Sequence, residues 1–300
     1  MEHQKETLDS CPICEGKTFV TVLQTKDYFL SAEEFDIQQC LNCNFHFTNP
    51  RPNKKAFGSY YKSENYISHS NKSRGAFASL YQYARKINLK SKYSILSRHI
   101  KTGKALDIGS GTGHFLQLLK TKGWETRGIE PDENAADFSR SSFNLIIDAE
   151  SEITNYQKSS FDLISMWHVL EHVHDLNERL DEIKRIISTK GILILALPNL
   201  ESYDANYYVK QWAALDVPRH LYHFTRKDVE NLAQKHNFII EKIYPMKMDS
   251  FYVSLLSEKY IGKKWGLFRA FYIAILSNLK SSRQNPNTSS LIYILRPNWA

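Results

Sequence analysis

Between Lys104 and Pro198, short apolar runs alternate with longer stretches of helical spacing, and this alternation limits what the chain can fold into. "KALDIG", "WETRGIEP", "NLIID", "FDLISMW" and "ILILAL" read as strands. "HFLQLLKTKG", "DENAADFSRSSF" and "DLNERLDEIKRIISTKG" read as the helices that link them. Asp175 and Glu178 have capping-box spacing at the start of the last of these, and Gly191 is expected to end it. Strands alternating with helices bury both faces of a sheet, which makes the sheet parallel and doubly wound. Ligands of such sheets sit at the carboxyl ends of the strands, near the point where strand order reverses.

The first strand runs into "LDIGSGTGHF", a glycine loop that opens a helix. Gly109, Gly111 and Gly113 have G-x-G-x-G spacing. The dinucleotide fingerprint is G-x-G-x-x-G, whose third glycine lets the helix pack closely on the strand. Here His114 occupies that place. Asp107 precedes the loop, and a pyrophosphate at this helix start would meet its carboxylate. A ligand with an ammonium group is favoured there instead. Glu130 closes the second strand, placed to accept hydrogen bonds from two ribose hydroxyls.

All four cysteines lie within the first 43 residues, as "CPIC" (Cys11, Cys14) and "CLNC" (Cys40, Cys43). Paired Cys-x-x-Cys knuckles converge four thiolates on one point, and a closed four-sulfur site suits structural zinc. Two disulfides, free thiols and a single iron ion in a rubredoxin-like site are the alternatives that this spacing leaves open. No cysteine follows position 43, which disfavours any mechanism through a covalent cysteine adduct in the central domain.

Charge divides the chain in the same way. Residues 1–50 carry 3 Lys/Arg against 8 Asp/Glu, residues 51–104 carry 13 against 1, and residues 105–200 carry 9 against 15. Residues 250–300 are basic again, 7 against 1. We expect a zinc-ribbon-like module over 1–50, a basic helical connector over 51–100, and an α/β domain over 101–300 with a helical insertion at about 250–282. The connector holds Tyr60, Tyr61, Tyr66, Tyr81, Tyr83 and Tyr93 among its lysines. Such a stretch fits a helix capping the cofactor site, or aromatics and cations stacking on RNA. The start "MEHQKETLDS" is not that of a secretory signal, and "AFYIAILSNL" is half the length of a membrane span. A cytoplasmic protein is expected.

On these residues the chain resembles class I S-adenosylmethionine-dependent methyltransferases over roughly 100–245. "LDIGSGTG" is similar to their first motif, and Glu130 to the ribose-binding acid after the second strand. "FDLISMWHVLEHVHD" is similar to the fourth-strand motif of quinone-pathway O-methyltransferases, and "GILILALPN" to the fifth strand. The resemblance implies a Rossmann-like, mostly parallel sheet with an antiparallel last strand, and S-adenosylmethionine as cofactor. It places Asp107 and Gly109 against the methionine part and lets Gly111 and Gly113 approach the ligand closely. Asp148 and Ala149 would flank the adenine, and Trp167 and His168 would line the methyl site. The cysteine head together with this domain is similar to sugar C-methyltransferases with an N-terminal zinc module. The head is also similar to that of zinc-ribbon methyltransferases of ribosomal RNA guanine.

Methyl transfer needs orientation and, for a hydroxyl or carbon acid, a base. His168 ends the fourth strand and is the first candidate, with a cofactor-lining role as its alternative. Glu171 and His172 follow it as a second acid–base pair or as a helix cap. His220 and His223 sit with Arg219 in "DVPRHLYHF", before a capping box in "TRKD", as a loop over the acceptor or a self-stabilised turn. The leading reading is an enzyme that methylates a small-molecule, sugar-linked or lipid-linked acceptor. The fourth strand lacks the Asn/Asp-Pro-Pro-aromatic motif expected for methylation of exocyclic amines on bases. An RNA methyltransferase and a non-catalytic zinc-ribbon adaptor are the alternatives. The 250–282 insertion fits core cover, a lid, or a peripheral membrane contact.

Overall fold

The computed structural model describes residues 4–61, 76–282 and 284–299. Tyr66 and the rest of the connector over 62–75 lie outside the described residues. The chain opens with β1 (Lys5–Glu6), β2 (Phe19–Lys26), β3 (Glu34–Cys40), β4 (His46–Thr48) and β5 (Arg51–Pro52). β2, β3 and β4 form an antiparallel meander, and β1 pairs with β5. After the helix Ala76–Leu96 come β6 (Lys104–Ile108), β7 (Glu125–Ile129), β8 (Ile146–Asp148), β9 (Phe161–Trp167) and β10 (Ile187–Pro198). Then follow β11 (Tyr222–His223), β12 (Phe238–Pro245) and β13 (Ser290–Pro297).

The central sheet has seven strands in the order β12-β13-β10-β9-β6-β7-β8. β6 through β10 are parallel, and β13 is antiparallel to both of its neighbours. Strand order reverses between β6 and β9, so the cleft for a ligand opens above their carboxyl ends. "ILILAL" has no polar residue because both of its faces are covered. Leu193, Leu195 and Leu197 pack towards the helices Leu176–Ile186 and Arg226–Lys235. Ile192, Ile194 and Ala196 face the opposite layer, with Phe115 and Leu119 of the helix His114–Thr121 and Leu96 of the helix Ala76–Leu96.

The helix expected to run to Gly191 ends at Ile186. Four residues before the glycine the chain is already strand, because the β-branched Ile186, Ile187 and Thr189 favour extended backbone. Gly191 instead sits in β10, where an added Cβ would lie 3.1 Å from the Asp162 carbonyl oxygen. Asp175 does not cap its helix, since its carboxylate pairs with Lys54. The capping box at Thr225 and Asp228 is present. The insertion forms two helices, Lys247–Ile261 and Gly266–Lys280. No helix among the described residues is long and apolar enough to cross a membrane.

β11 lies in the second half of the chain but pairs antiparallel with β4, so the N-terminal sheet has the order β11-β4-β3-β2. Phe45 and Phe47 meet Tyr222 and Phe224 in a shared aromatic core. Beside it, Arg219 forms a buried ion pair with Asp27 at 2.9 Å.

Candidate active site

The loop after β6 is held from both ends. Gly109 and Ser110 donate backbone hydrogen bonds to Ile129 O, and Gly113 begins the helix in the left-handed region at φ 71. An added Cβ at Gly113 would come within 2.7 Å of Leu145 and Ser139, and one at Gly109 within 2.4 Å of Val169. Gly111 is different, because nothing lies within 4 Å of its Cβ position. Its left-handed φ of 54 and that open space leave bare backbone facing the cleft.

Two carboxylates flank this loop. Asp107 is 3% exposed and accepts a hydrogen bond from Ser165 Oγ at 2.5 Å. Burial pushes its carboxyl up to about 7, against the Ser165 hydrogen bond and the charge of Lys92. Glu130 accepts from Gly111 N at 2.6 Å and from Asp132 N at 2.9 Å. Burial raises its pKa as well, and those two amides oppose the rise. Asp148 ends β8 with its carboxylate bound to Arg127 Nε at 2.5 Å and Tyr156 OH at 2.7 Å, while Ala149 beside it is exposed.

Trp167 ends β9, and the ammonium of Lys92 lies 4.0 Å from the centre of its ring. Lys92 comes from the helix Ala76–Leu96 and faces Asp107 and Asp249. Burial lowers its pKa to about 8 in spite of those two acids. His168 follows at φ 57, a left-handed backbone that few non-glycine residues adopt. That turn sets its ring between two carboxylates, Nδ1 3.3 Å from Glu171 and Nε2 4.0 Å from Asp249. Burial works against an imidazolium here, but Glu171 and Asp249 outweigh it and lift His168 above its ordinary range.

Glu171 is fully buried, and neither of its oxygens receives a hydrogen bond of good geometry. Burial would raise its pKa, yet the imidazoles of His168, His220 and His172 hold it below the usual carboxylate value. His172 Nδ1 lies 2.9 Å from Arg219 O and 2.8 Å from Tyr61 OH, and His220 Nδ1 lies 2.8 Å from Ala214 O. A carbonyl only accepts, so both Nδ1 atoms carry hydrogen and both Nε2 atoms offer lone pairs. Ligand atoms of Glu171, His172 and His220 lie within 4.8 Å of one another, a donor set able to hold a divalent ion or share a proton. His223 lies apart from this group, its Nε2 3.1 Å from Thr48 Oγ1 within the N-terminal sheet.

The two cysteine knuckles have the same backbone. Cys11 N donates to Gly16 O and Glu15 N to Cys11 O, while Cys40 N donates to Phe45 O and Asn44 N to Cys40 O. Glu15 and Asn44 both stand in the left-handed region, at φ 63 and 64. Sγ atoms of Cys11 and Cys43 are 3.6 Å apart, those of Cys14 and Cys40 3.5 Å, and all four lie within 4.8 Å of one another. A tetrahedral metal with sulfurs at about 2.3 Å needs sulfur–sulfur edges of about 3.8 Å, so the donor set and its spacing fit zinc. Burial pushes the Cys11 thiol up to about 11 and raises Cys43 as well, whereas at Cys40 burial is outweighed by the Cys43 and Asn42 amides, which lower it.

The structure places Asp107, the three loop glycines, Glu130, Trp167 and His168 at or just beyond the carboxyl ends of β6, β7 and β9. The sequence does not point to Lys92 or Asp249. Lys92 is one of 13 cations in its charge block, and Asp249 lies 142 residues after Asp107. Nothing in their local spacing marks either.

A seven-stranded sheet with one reversed strand, and a glycine loop between two acids at its switch point, defines the fold class of S-adenosylmethionine-dependent methyltransferases. Residues 77–243 match the methyltransferase domain family, and the chain belongs to it. An uncharacterised protein of Methanocaldococcus jannaschii is 27% identical over 119 residues, 40% of this chain and 56% of that protein. The ubiquinone biosynthesis O-methyltransferase of Pelagibacter ubique is 26% identical over 163 residues, 50% of this chain and 67% of that enzyme. Among solved structures, phosphoethanolamine N-methyltransferase 2 of Haemonchus contortus, in complex with S-adenosyl-L-methionine, shares the fold. It is 15% identical with a TM-score of 0.53, over 93% of this chain and 71% of that one.

Proposed function

We propose that this chain transfers a methyl group from S-adenosylmethionine to a small-molecule, sugar-linked or lipid-linked acceptor, with zinc as a structural ion in its cysteine cluster. The observation that carries this reading is the loop Gly109–Gly113, which presents bare backbone at Gly111 between the buried Asp107 and Glu130. S-adenosylmethionine, when bound, supplies an electrophilic methyl group on a sulfonium. Asp107 would pair with the ammonium of its methionine part, and Glu130 would accept from its ribose hydroxyls. Asp148 and Ala149 would border the adenine. Trp167 gives a cation-tolerant face at the methyl site, where its ring already faces the ammonium of Lys92.

His168 would take the proton that a hydroxyl or acidic carbon loses as the methyl arrives. Glu171 and Asp249 would stabilise the resulting imidazolium, as their placement already favours that form. His220 belongs to the same network through Glu171, whereas His223 serves the sheet. A small acceptor is favoured over RNA because Lys92 and Asp249 come from two different elements and meet over the cleft. Lys92 is thereby committed to Trp167, Asp107 and Asp249 and not to a phosphate backbone. Calorimetry with S-adenosylmethionine, S-adenosylhomocysteine and NAD tests the first step, and methyl release against a panel of hydroxyl and phospho-acceptors tests the second. Binding of NAD without binding of either sulfur nucleoside would overturn the reading.

A further inference from the structure

The helix Gly266–Lys280 is packed inside out. It buries Ala270, Ile273, Ala274 and Ser277 against the protein. It turns Leu267, Phe268, Phe271, Tyr272, Ile275 and Leu279 to the outside. At 100° per residue these six side chains fall within an arc of about 140°, one continuous stripe. Phe268 is 68% exposed and Leu279 74%, and Trp265, just before the helix, is 75% exposed. A helix that covered only its own core would bury its large residues and expose its small ones. An exposed apolar patch of this size marks an interaction surface.

Charge around the stripe selects the partner. Lys259, Lys263 and Lys264 are exposed in and just after the preceding helix, Lys247–Ile261. The two acids of this region are both engaged internally. Glu258 is buried against Arg269 and Tyr208, and Asp249 bonds Ser290 and faces the cleft. Lys263 and Lys264 thus lead into the apolar stripe with no acid of the two helices free to pair with them, and Glu201, just before the helix Tyr203–Tyr208 that packs on Gly266–Lys280, is the acid that the adjoining segment exposes. We propose that this face docks on an anionic lipid bilayer, with the aromatic stripe entering the headgroup region and the lysines meeting lipid phosphates. A second copy of the chain is the other occupant such a stripe could take, but apolar contact alone would leave Lys259, Lys263 and Lys264 without a role, and vesicle flotation separates the two. This inference stands apart from the reaction assigned above and does not require it.

The test is flotation of the full-length protein with vesicles of phosphatidylcholine alone or of phosphatidylcholine mixed with phosphatidylglycerol. The protein is expected to float with the anionic vesicles and to stay in solution with the neutral ones. The triple variant Phe268→Ser, Phe271→Ser, Leu279→Ser should lose at least about tenfold in partition. Each lysine near an anionic surface contributes about fivefold, so Lys263→Gln with Lys264→Gln should lose about 25-fold. All these side chains are exposed, so the unfolding midpoint of both variants should match wild type, which separates docking from folding. Equal partition onto neutral vesicles, or unchanged partition of both variants, would overturn the proposal. So would a concentration-dependent dimer that the triple variant abolishes while wild type ignores vesicles, since the stripe would then join two copies.

Discussion

Replacing Glu130 tests the cofactor site most directly, because its carboxylate has two separable duties. It anchors the glycine loop through Gly111 N at 2.6 Å and Asp132 N at 2.9 Å, and it is proposed to receive ribose hydroxyls. A hydrogen bond to a charged group contributes about 1.5–3 kcal/mol, and a carboxylate oxygen with one amide bound still has a free lone pair. Glu130→Ala should therefore weaken S-adenosylmethionine by about 1–3 kcal/mol, roughly 5- to 150-fold. Glu130→Gln keeps one acceptor oxygen and should fall between the two. Titration calorimetry reads the affinities, and thermal unfolding reports loss of the anchor separately. Repeating the titrations with a cofactor analogue lacking the ribose hydroxyls distinguishes the duties. Wild type should lose affinity for that analogue, while the alanine variant should not discriminate against it. An alanine variant within twofold of wild type would refute the assignment. So would an alanine penalty as large with the analogue as with the cofactor, for the carboxylate would then hold only the loop.

The cysteine cluster should carry one zinc per chain, read by elemental analysis of protein purified without chelator; two disulfides by mass spectrometry and no metal would contradict it. If His168 is the base, it works only when neutral, and its flanking carboxylates raise its pKa. The acid limb of turnover should then lie above the ~6.5 of an unperturbed imidazole, and Glu171→Gln should move that limb to lower pH. A limb that stays in place in Glu171→Gln would dissociate the pair. Arg219→Leu leaves the buried Asp27 without its partner and should destabilise the fold by about 3–5 kcal/mol in denaturant titration. Burial opposes ionisation of Asp27, but Arg219 and the Ser31 amide outweigh it and depress its pKa. Its contribution is thus present above the unfolded carboxyl pKa of ~3.9 and is lost as pH falls through the lower folded value. Wild type and Arg219→Leu should therefore converge in stability at strongly acid pH.

What the sequence disclosed follows from periodicity and short spacing. The parallel sheet was legible in "KALDIG" and "ILILAL" because a strand covered on both faces has no polar side. The loop was legible because Asp107, the three glycines and Glu130 lie within 24 residues. Boundaries were harder where two signals competed. Gly191 looks like a helix end, yet the β-branched residues before it had already turned the chain to strand. Asp175 has the spacing of a cap, but Lys54, over a hundred residues earlier, holds its carboxylate. Lys92, Asp249 and the pairing of Tyr222–His223 with His46–Phe47 depend on contacts between distant segments, which no local pattern encodes.

That last pairing has a consequence for synthesis. The knuckles around Cys11 and Cys40 close through contacts a few residues apart, so they can form as soon as the first fifty residues leave the ribosome. The sheet beside them cannot be completed then, because its fourth strand is encoded after residue 221. At roughly 5–20 residues per second, the 173 residues between Thr48 and Tyr222 take on the order of ten to thirty-five seconds to be made. During that interval the edge of β4 is open, and Phe45 and Phe47 lack the rings of Tyr222 and Phe224. The N-terminal segment is thus a knuckle-first, sheet-last structure. Fragments cut before residue 222 would keep the metal ligands but display an unpaired strand edge and two bare phenylalanines.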